Sequence, residues 1–275
     1  VIGEGEMDEA PMLYIGERVG LRVAPQVDIA VDPLEGTNLV AKGLNGAIAV
    51  LASAPMGTLL HAPDMYMDKI AVGADCKGRV FLDAPVKENL RQVAKALDKS
   101  IREVTVVILD RERHQGIIDE VRSVGARIRL ISDGDVSPGV AAAYGNSGVD
   151  ILMGIGGAPE GVITAAAMKC MGGDFQARLF PEDENEIRRC HEMGIKDVNQ
   201  LFTIDELVKS DDVIFVATAI TDSYLLKGVQ YAKGRAITQT LVMRSASGTI
   251  RFIEANHSLD KKPLFKDKRI SLTLE

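Results

Sequence analysis

Apolar runs of strand length alternate with amphipathic stretches of helical length across most of this 275-residue chain, and that alternation restricts its fold more than any other feature. Residues 47–52, 104–109, 127–132, 149–153 and 212–217 have the length and apolar character of strands. Residues 87–97, 116–124, 162–171 and 203–209 fall between them with helical periodicity, and the last opens with Thr203 and Glu206 at capping-box spacing. Strands rich in Val, Ile and Leu, separated by such helices, predict sheets covered on both faces, hence a layered α/β fold. In such folds phosphate and cofactor sites gather where strands end and helices begin. The acidic stretch 181–189 reads as a surface loop. The chain is expected to form one unit with two lobes, their seam near residue 100 or at 180–190. No internal repeat is present.

The sequence excludes several partners. Its net charge is −7 and no Lys/Arg cluster forms a stripe, which argues against nucleic acid. A hydrophobic content of 46% and a charged content of 26% suit a soluble globular protein. No apolar run approaches the ~18 residues of a membrane span, and no signal-peptide pattern is present, so no membrane role is expected. Cys76, Cys170 and Cys190 are widely spaced and form no CxxC, which suits a reducing cytoplasm and suggests neither a zinc site nor a disulfide framework. The chain opens mid-strand at Val1-Ile2-Gly3-Glu4 without an initiator Met, so an upstream segment that contributes residues to the site is expected.

The chemistry centres on Val31-Asp32-Pro33-Leu34-Glu35-Gly36-Thr37, which follows an apolar stretch that reads as a buried strand. Two carboxylates and a hydroxyl share one tight turn. Hard cations such as Mg²⁺ and Mn²⁺ take several oxygen ligands, and Asp32 and Glu35 can converge on such an ion. Pro33 fixes φ between them, Gly36 lets the backbone approach a phosphate, and Thr37 offers a hydroxyl to an attacking water. An ordinary acidic turn would look the same if it stood alone.

It does not stand alone. Glu4, Glu6, Asp8 and Glu9 place four carboxylates within six residues, and such charges repel one another unless something positive sits among them. Gly154-Ile155-Gly156-Gly157-Ala158-Pro159-Glu160-Gly161 reads as a glycine-rich strand-to-helix turn whose N–H groups face an anion. It is no Walker loop, and Pro159 stands where a GxGxxG fingerprint needs its third glycine. Glu160 makes sense there as another metal ligand. Arg111-Glu112-Arg113-His114 and Asp133-Gly134-Asp135 both follow predicted strands. Arginine presents a planar fork to phosphate, and paired aspartates accept sugar hydroxyls. His114 reads as an ordinary surface residue and Tyr66 as either a core aromatic or a substrate contact.

These blocks resemble the class II fructose-1,6-bisphosphatases of the bacterial GlpX type. The resemblance runs through Val1-Ile2-Gly3-Glu4-Gly5-Glu6, Asp8-Glu9-Ala10-Pro11-Met12-Leu13-Tyr14-Ile15-Gly16-Glu17, Asp28-Ile29-Ala30-Val31-Asp32-Pro33-Leu34-Glu35-Gly36-Thr37, Ala62-Pro63-Asp64-Met65-Tyr66-Met67, Asp133-Gly134-Asp135 and the glycine block 154–161. It covers essentially the whole chain. The family belongs to the lithium-sensitive, metal-dependent phosphatases and resembles inositol monophosphatase in its Asp-Pro-acid-Gly-Thr turn. The resemblance implies an α-β-α-β-α sandwich and a cofactor of Mg²⁺ or Mn²⁺. It assigns Glu4, Asp32, Glu35 and Glu160 to metal binding, Thr37 to positioning the attacking water, and Asp8 to an acid of the catalytic loop. Glu35, Gly36, Thr37, Tyr66, Arg111, Glu112, Arg113, Asp133, Gly134, Asp135 and Gly157 match substrate contacts. A family segment carrying a Lys and a metal-binding Asp would lie before Val1, and the stretch between Leu179 and Cys190 is shorter than in relatives.

The reaction this implies is hydrolysis of the 1-phosphate of fructose 1,6-bisphosphate, the gluconeogenic step, in a cytoplasmic homo-oligomer, dimer or tetramer. Three rivals share parts of the pattern: a dual fructose/sedoheptulose bisphosphatase, an inositol-type monophosphatase, and a non-catalytic nucleotide-binding regulatory module.

Overall fold

The computed structural model describes residues 1–3, 12–21 and 23–262. In chain order its main elements are β1 (Val27–Glu35), α1 (Thr37–Ala41), β2 (Ile48–Pro55), β3 (Tyr66–Val72), α2 (Val86–Ala96), β4 (Thr105–Leu109), α3 (Gln115–Val124), β5 (Arg127–Ile131) and α4 (Val136–Ala142). Then come β6 (Ile151–Gly157), α5 (Ala158–Met171), β7 (Asp174–Phe180), α6 (Glu184–Glu192), β8 (Phe202–Thr203), α7 (Ile204–Leu207), β9 (Ile214–Ala219), β10 (Gln230–Ala232), β11 (Arg235–Arg244) and β12 (Thr249–Ser258).

Among the described residues the strands form two six-stranded sheets. The first is antiparallel throughout, in the order β1-β2-β9-β11, with β9 and β10 sharing one edge of β11 and β12 lining the other. The second is mixed, in the order β5-β4-β6-β3-β7-β8, parallel from β5 to β6 and antiparallel beyond.

Helix α5 explains the layering. Its Val162-Ile163-Thr164-Ala165-Ala166-Ala167-Met168 run is buried on every side, so it cannot lie on a surface. It packs against β1, β2 and β9 of the first sheet and against β3 and β7 of the second, with α4 beside it. Small alanines let both sheets approach. The outer face of the second sheet is covered by α2 and α3, whose Leu90, Val93, Ile118 and Val121 join Ile70, Val106, Ile108 and Ile151 in a second core. The layered α/β sandwich expected from the sequence is what forms.

Strand β3 divides its side chains between these cores with the period of two that a pleated strand imposes. Met67 and Ala71 face α5, whereas Ile70 and Val72 face α2 and α3. Lys69 points with Met67 and Ala71, and is only 1% exposed.

Four local expectations change. The glycine block is not a turn: Gly154–Gly157 completes β6 and pairs with Lys69–Tyr66 of β3, and α5 begins at once with Ala158. Residues 181–183 form the expected loop, but 184–189 do not. Asp183 accepts from the Glu186 N–H and opens α6, with acids in its first turn and Arg189 and His191 in its last, both favourable to the helix dipole. β1 runs through the acidic motif to Glu35. β12 carries mostly exposed side chains, so among the described residues this end of the first sheet is not covered as the sequence pattern suggested.

Candidate active site

The site begins with an irregularity in β1. Asp32 pairs with Val50 and Glu35 with Ile48, so three steps on β1 match two on β2. Residues three apart on a regular strand point to opposite faces. The extra residue of a bulge brings them back to one side, which is how Asp32 and Glu35 converge. Pro33 has no N–H to give the ladder, and the Leu34 N–H donates to Asp32 Oδ1 at 2.8 Å. Gly36 follows at φ 84°, ψ 48°, a left-handed conformation that L side chains resist, and starts α1 with Thr37 exposed at its first position.

A second arm comes from α4. The Glu35 carboxylate accepts from the Val136 N–H at 3.1 Å. Asp133 accepts from the Asn38 N–H at 3.3 Å, which ties the Asp133-Gly134-Asp135 segment to the start of α1. The two glycine turns touch, since a Cβ on Gly134 would lie 3.6 Å from Gly36 Cα.

The third arm is the β6-to-α5 junction. Glu160 sits in the first turn of α5 and folds back over Gly157, where a Cβ would lie 1.8 Å from Glu160 Oε2. Any larger residue at 157 would displace that carboxylate. Asp32 and Glu35 from β1 and Glu160 from α5 each place a carboxylate oxygen within 4.8 Å of the others. Asp32 and Glu35 are buried and Glu160 half-buried.

The electrostatics follow from that crowding. Burial, then the charges of Glu160 and Asp135 and a hydrogen bond with Asp32, hold the Glu35 carboxyl well above the ordinary carboxylate range. Burial pushes Glu160 up to about 7, with Lys69 opposing and Asp135 and Asp32 adding to the rise. Carboxylates this close are stable either with shared protons or around a cation. Their all-oxygen chemistry suits a hard divalent cation, so the residues present fit a metal of that class.

A cationic wall stands beside this cluster. The Arg113 guanidinium lies 4.3 Å from the Tyr66 ring centroid and donates to the Ile155 carbonyl at 3.1 Å. Tyr66 pairs with Gly157 across the sheet, so the stacked pair is one strand away from Glu160's turn. Arg111 instead donates to the Asp110 and Ser132 carbonyls at 3.0 and 2.8 Å, clamping the ends of β4 and β5 ahead of Asp133. Glu112 is exposed between them.

Two residues escaped the sequence reading. His114 is fully buried, not a surface residue, and both ring nitrogens are engaged, with the Leu109 carbonyl and the Ile155 N–H. Lys69 reaches both oxygens of Asp135, at 2.9 and 2.8 Å, and the Gly157 carbonyl at 3.1 Å. The available signal was a lysine at an inward position between Met67 and Ala71.

This chain matches the family model of bacterial fructose-1,6-bisphosphatase, glpX-encoded, over residues 1–257. The chain belongs to that family. A D-fructose 1,6-bisphosphatase class 2/sedoheptulose 1,7-bisphosphatase of Synechococcus sp. (strain JA-3-3Ab) is 47% identical over 284 residues, covering 94% of this chain and 82% of the relative. A fructose-1,6-bisphosphatase class 2 of Haemophilus influenzae is 46% identical over 273 residues, with 94% and 82% covered. For this member of the fructose-1,6-bisphosphatase family, Asp32, Glu35 and Glu160 come together as a carboxylate cluster. Tyr66 meets Arg113, and Gly36, Gly134 and Gly157 line the same junction. Glu4 and Asp8 lie outside the described residues.

Proposed function

We propose that the chain hydrolyses the 1-phosphate of fructose 1,6-bisphosphate by direct attack of water, giving fructose 6-phosphate and phosphate, with Mg²⁺ or Mn²⁺ at Asp32, Glu35 and Glu160. The observation that carries this reading is the convergence of those three carboxylates, within 4.8 Å, at a junction walled by Arg113 and Tyr66. Membership of a family described as fructose-1,6-bisphosphatase supports it. A divalent cation bound there would polarise the phosphoryl oxygens and acidify the attacking water.

The chain's own residues do the rest. The Thr37 hydroxyl, exposed at the start of α1, orients the nucleophile. Arg113, its guanidinium over the Tyr66 ring, presents its fork to the distal 6-phosphate. Asp133 and Asp135 accept hydroxyls of the sugar, and Arg111 holds the strand ends that present them. Binding the remote phosphate fixes the reacting one, which lowers the entropic part of the barrier. No cysteine nucleophile is required, and Cys76, Cys170 and Cys190 are all buried and free.

A second reading, that sedoheptulose 1,7-bisphosphate is also a substrate, is favoured by the name of the Synechococcus relative. Cytoplasmic residence and a homo-oligomer belong to the same proposal, supported by the free cysteines and by Phe252 and Ile253 exposed on β12. Phosphate release from the two bisphosphates, fructose 6-phosphate and inositol 1-phosphate, with and without Mn²⁺, tests the reading. Metal-dependent release from fructose 1,6-bisphosphate is expected. Preference for inositol 1-phosphate, or binding with no release, would overturn it.

A further inference from the structure

Four carboxylates crowd the catalytic junction, yet they are not equivalent. Asp32, Glu35 and Glu160 converge, while Asp135, 6% exposed, stands between Gly134, where a Cβ would lie 3.7 Å from Glu35 Oε1, and Val136, whose N–H donates to that oxygen. What separates it from the other three is Lys69, a lysine 1% exposed, whose Nζ stands 2.9 Å from Asp135 Oδ1 and 2.8 Å from Oδ2. Lysine is almost never buried this deeply unless paired.

The fold makes room for the pair. A Cβ on Gly156 would lie 2.1 Å from Asp135 Oδ2 and 2.9 Å from Lys69 Nζ, so no side chain at that position is compatible with the contact. Lys69 also donates to the Gly157 carbonyl at 3.1 Å, the residue over which Glu160 folds. One ammonium therefore touches the supports of two site carboxylates.

We propose that Lys69 is a positioning residue that withholds Asp135 from the divalent-cation set and fixes the β6-to-α5 junction, so that Asp32, Glu35 and Glu160 alone among these four carboxylates face the ion. Each Asp135 oxygen retains a lone pair beyond the lysine, so the clamp orients Asp135 as an acceptor for a sugar hydroxyl. The inference rests on the metal reading given above. It differs from a merely structural ion pair in the sign of its effect on metal affinity.

The test is calorimetric titration of the metal-free full chain with Mn²⁺, without substrate, for wild type, Lys69→Met, Asp135→Asn and the double variant. Lys69→Met leaves Asp135 unpaired beside the cluster, so Mn²⁺ should bind about tenfold more tightly. Asp135→Asn leaves an unpaired buried ammonium, and binding should weaken about tenfold. The double variant removes both charges and should return to within roughly threefold of wild type. Weaker or unchanged binding by natively folded Lys69→Met overturns the proposal. If Lys69→Met does not fold, Asp135→Asn and the double variant decide: equal weakness in both makes Asp135 a ligand and overturns it. Absence of Mn²⁺ binding by wild type overturns the metal reading, and this proposal with it.

Discussion

His114 Nε2 accepts the Ile155 N–H at 2.7 Å, and its Nδ1 lies 2.7 Å from the Leu109 carbonyl. The first contact requires a lone pair on Nε2, so the proton sits on Nδ1 and is donated to Leu109. β4 pairs with β6 at Val106 and Val107, and Arg113 and His114 continue the contact further along β6 by binding the C=O and N–H of Ile155.

Protonating that ring would set one N–H against another. Burial lowers the His114 pKa below its ordinary 6.5; the Leu109 hydrogen bond and Asp68 oppose this, and Arg113 and Arg111 add to it. The unfolded state therefore binds the proton first as pH falls, and the stability His114 confers is present above about 6.5 and lost below it. Thermal unfolding should show a drop in melting temperature on acidification below pH 6.5 that is absent in His114→Phe. That variant should also be less stable at pH 8 by about 1–3 kcal/mol, the cost of an orphaned Ile155 N–H.

The metal-free chain should show a second pH effect of opposite slope. Glu35 and Glu160 have raised folded pKa values, Glu160 to about 7. Their protonated forms stabilise the fold at acid pH, and this is lost as pH rises from the ordinary 4.5 through the folded values. A cation replaces the protons. The rise in melting temperature on adding Mn²⁺ should be larger at pH 8 than at pH 5.5; equal shifts would mean that these carboxylates do not hold it.

Thr37→Ala removes a hydroxyl that matters when water attacks. The expected result is a kcat lower by roughly 10²-fold or more with KM nearly unchanged. A change confined to KM would make Thr37 a substrate contact.

Arg113→Ala should raise KM for fructose 1,6-bisphosphate by about 10- to 150-fold, the loss of a charge-assisted contact of about 1.5–3 kcal/mol. A monophosphate with no distal group should be nearly unaffected. Arg113→Lys should recover activity only in part, because it lacks the planar fork that lies on Tyr66. Equal losses on both substrates would place Arg113 at the reacting phosphate.

Much of this was legible in the chain because Asp32, Glu35 and Thr37 are local: their chemistry lies within one short block. The bulge that aligns Asp32 with Glu35 was not, because register depends on β2, a partner distant in sequence. Gly154–Gly157 suggested a loop because glycine weakens strands, but here it admits Lys69, Asp135 and Glu160 beside β6. α6 was hidden by its acidity, since only Cys190 on it is buried. Lys69 and His114 escaped because a single basic residue has no period; the alternation of Met67 and Ala71 around Lys69 was a weak signal, and for His114 only tertiary burial shows that it is internal.

The most direct measurement is phosphate release from fructose 1,6-bisphosphate by the full chain after chelation, followed by titration with Mn²⁺ or Mg²⁺. Activity should vanish in excess EDTA and return with the ion in wild type, and Glu160→Gln should require much more ion to respond. Full turnover in excess EDTA, or an unchanged ion requirement in Glu160→Gln, would contradict a cation held by Asp32, Glu35 and Glu160.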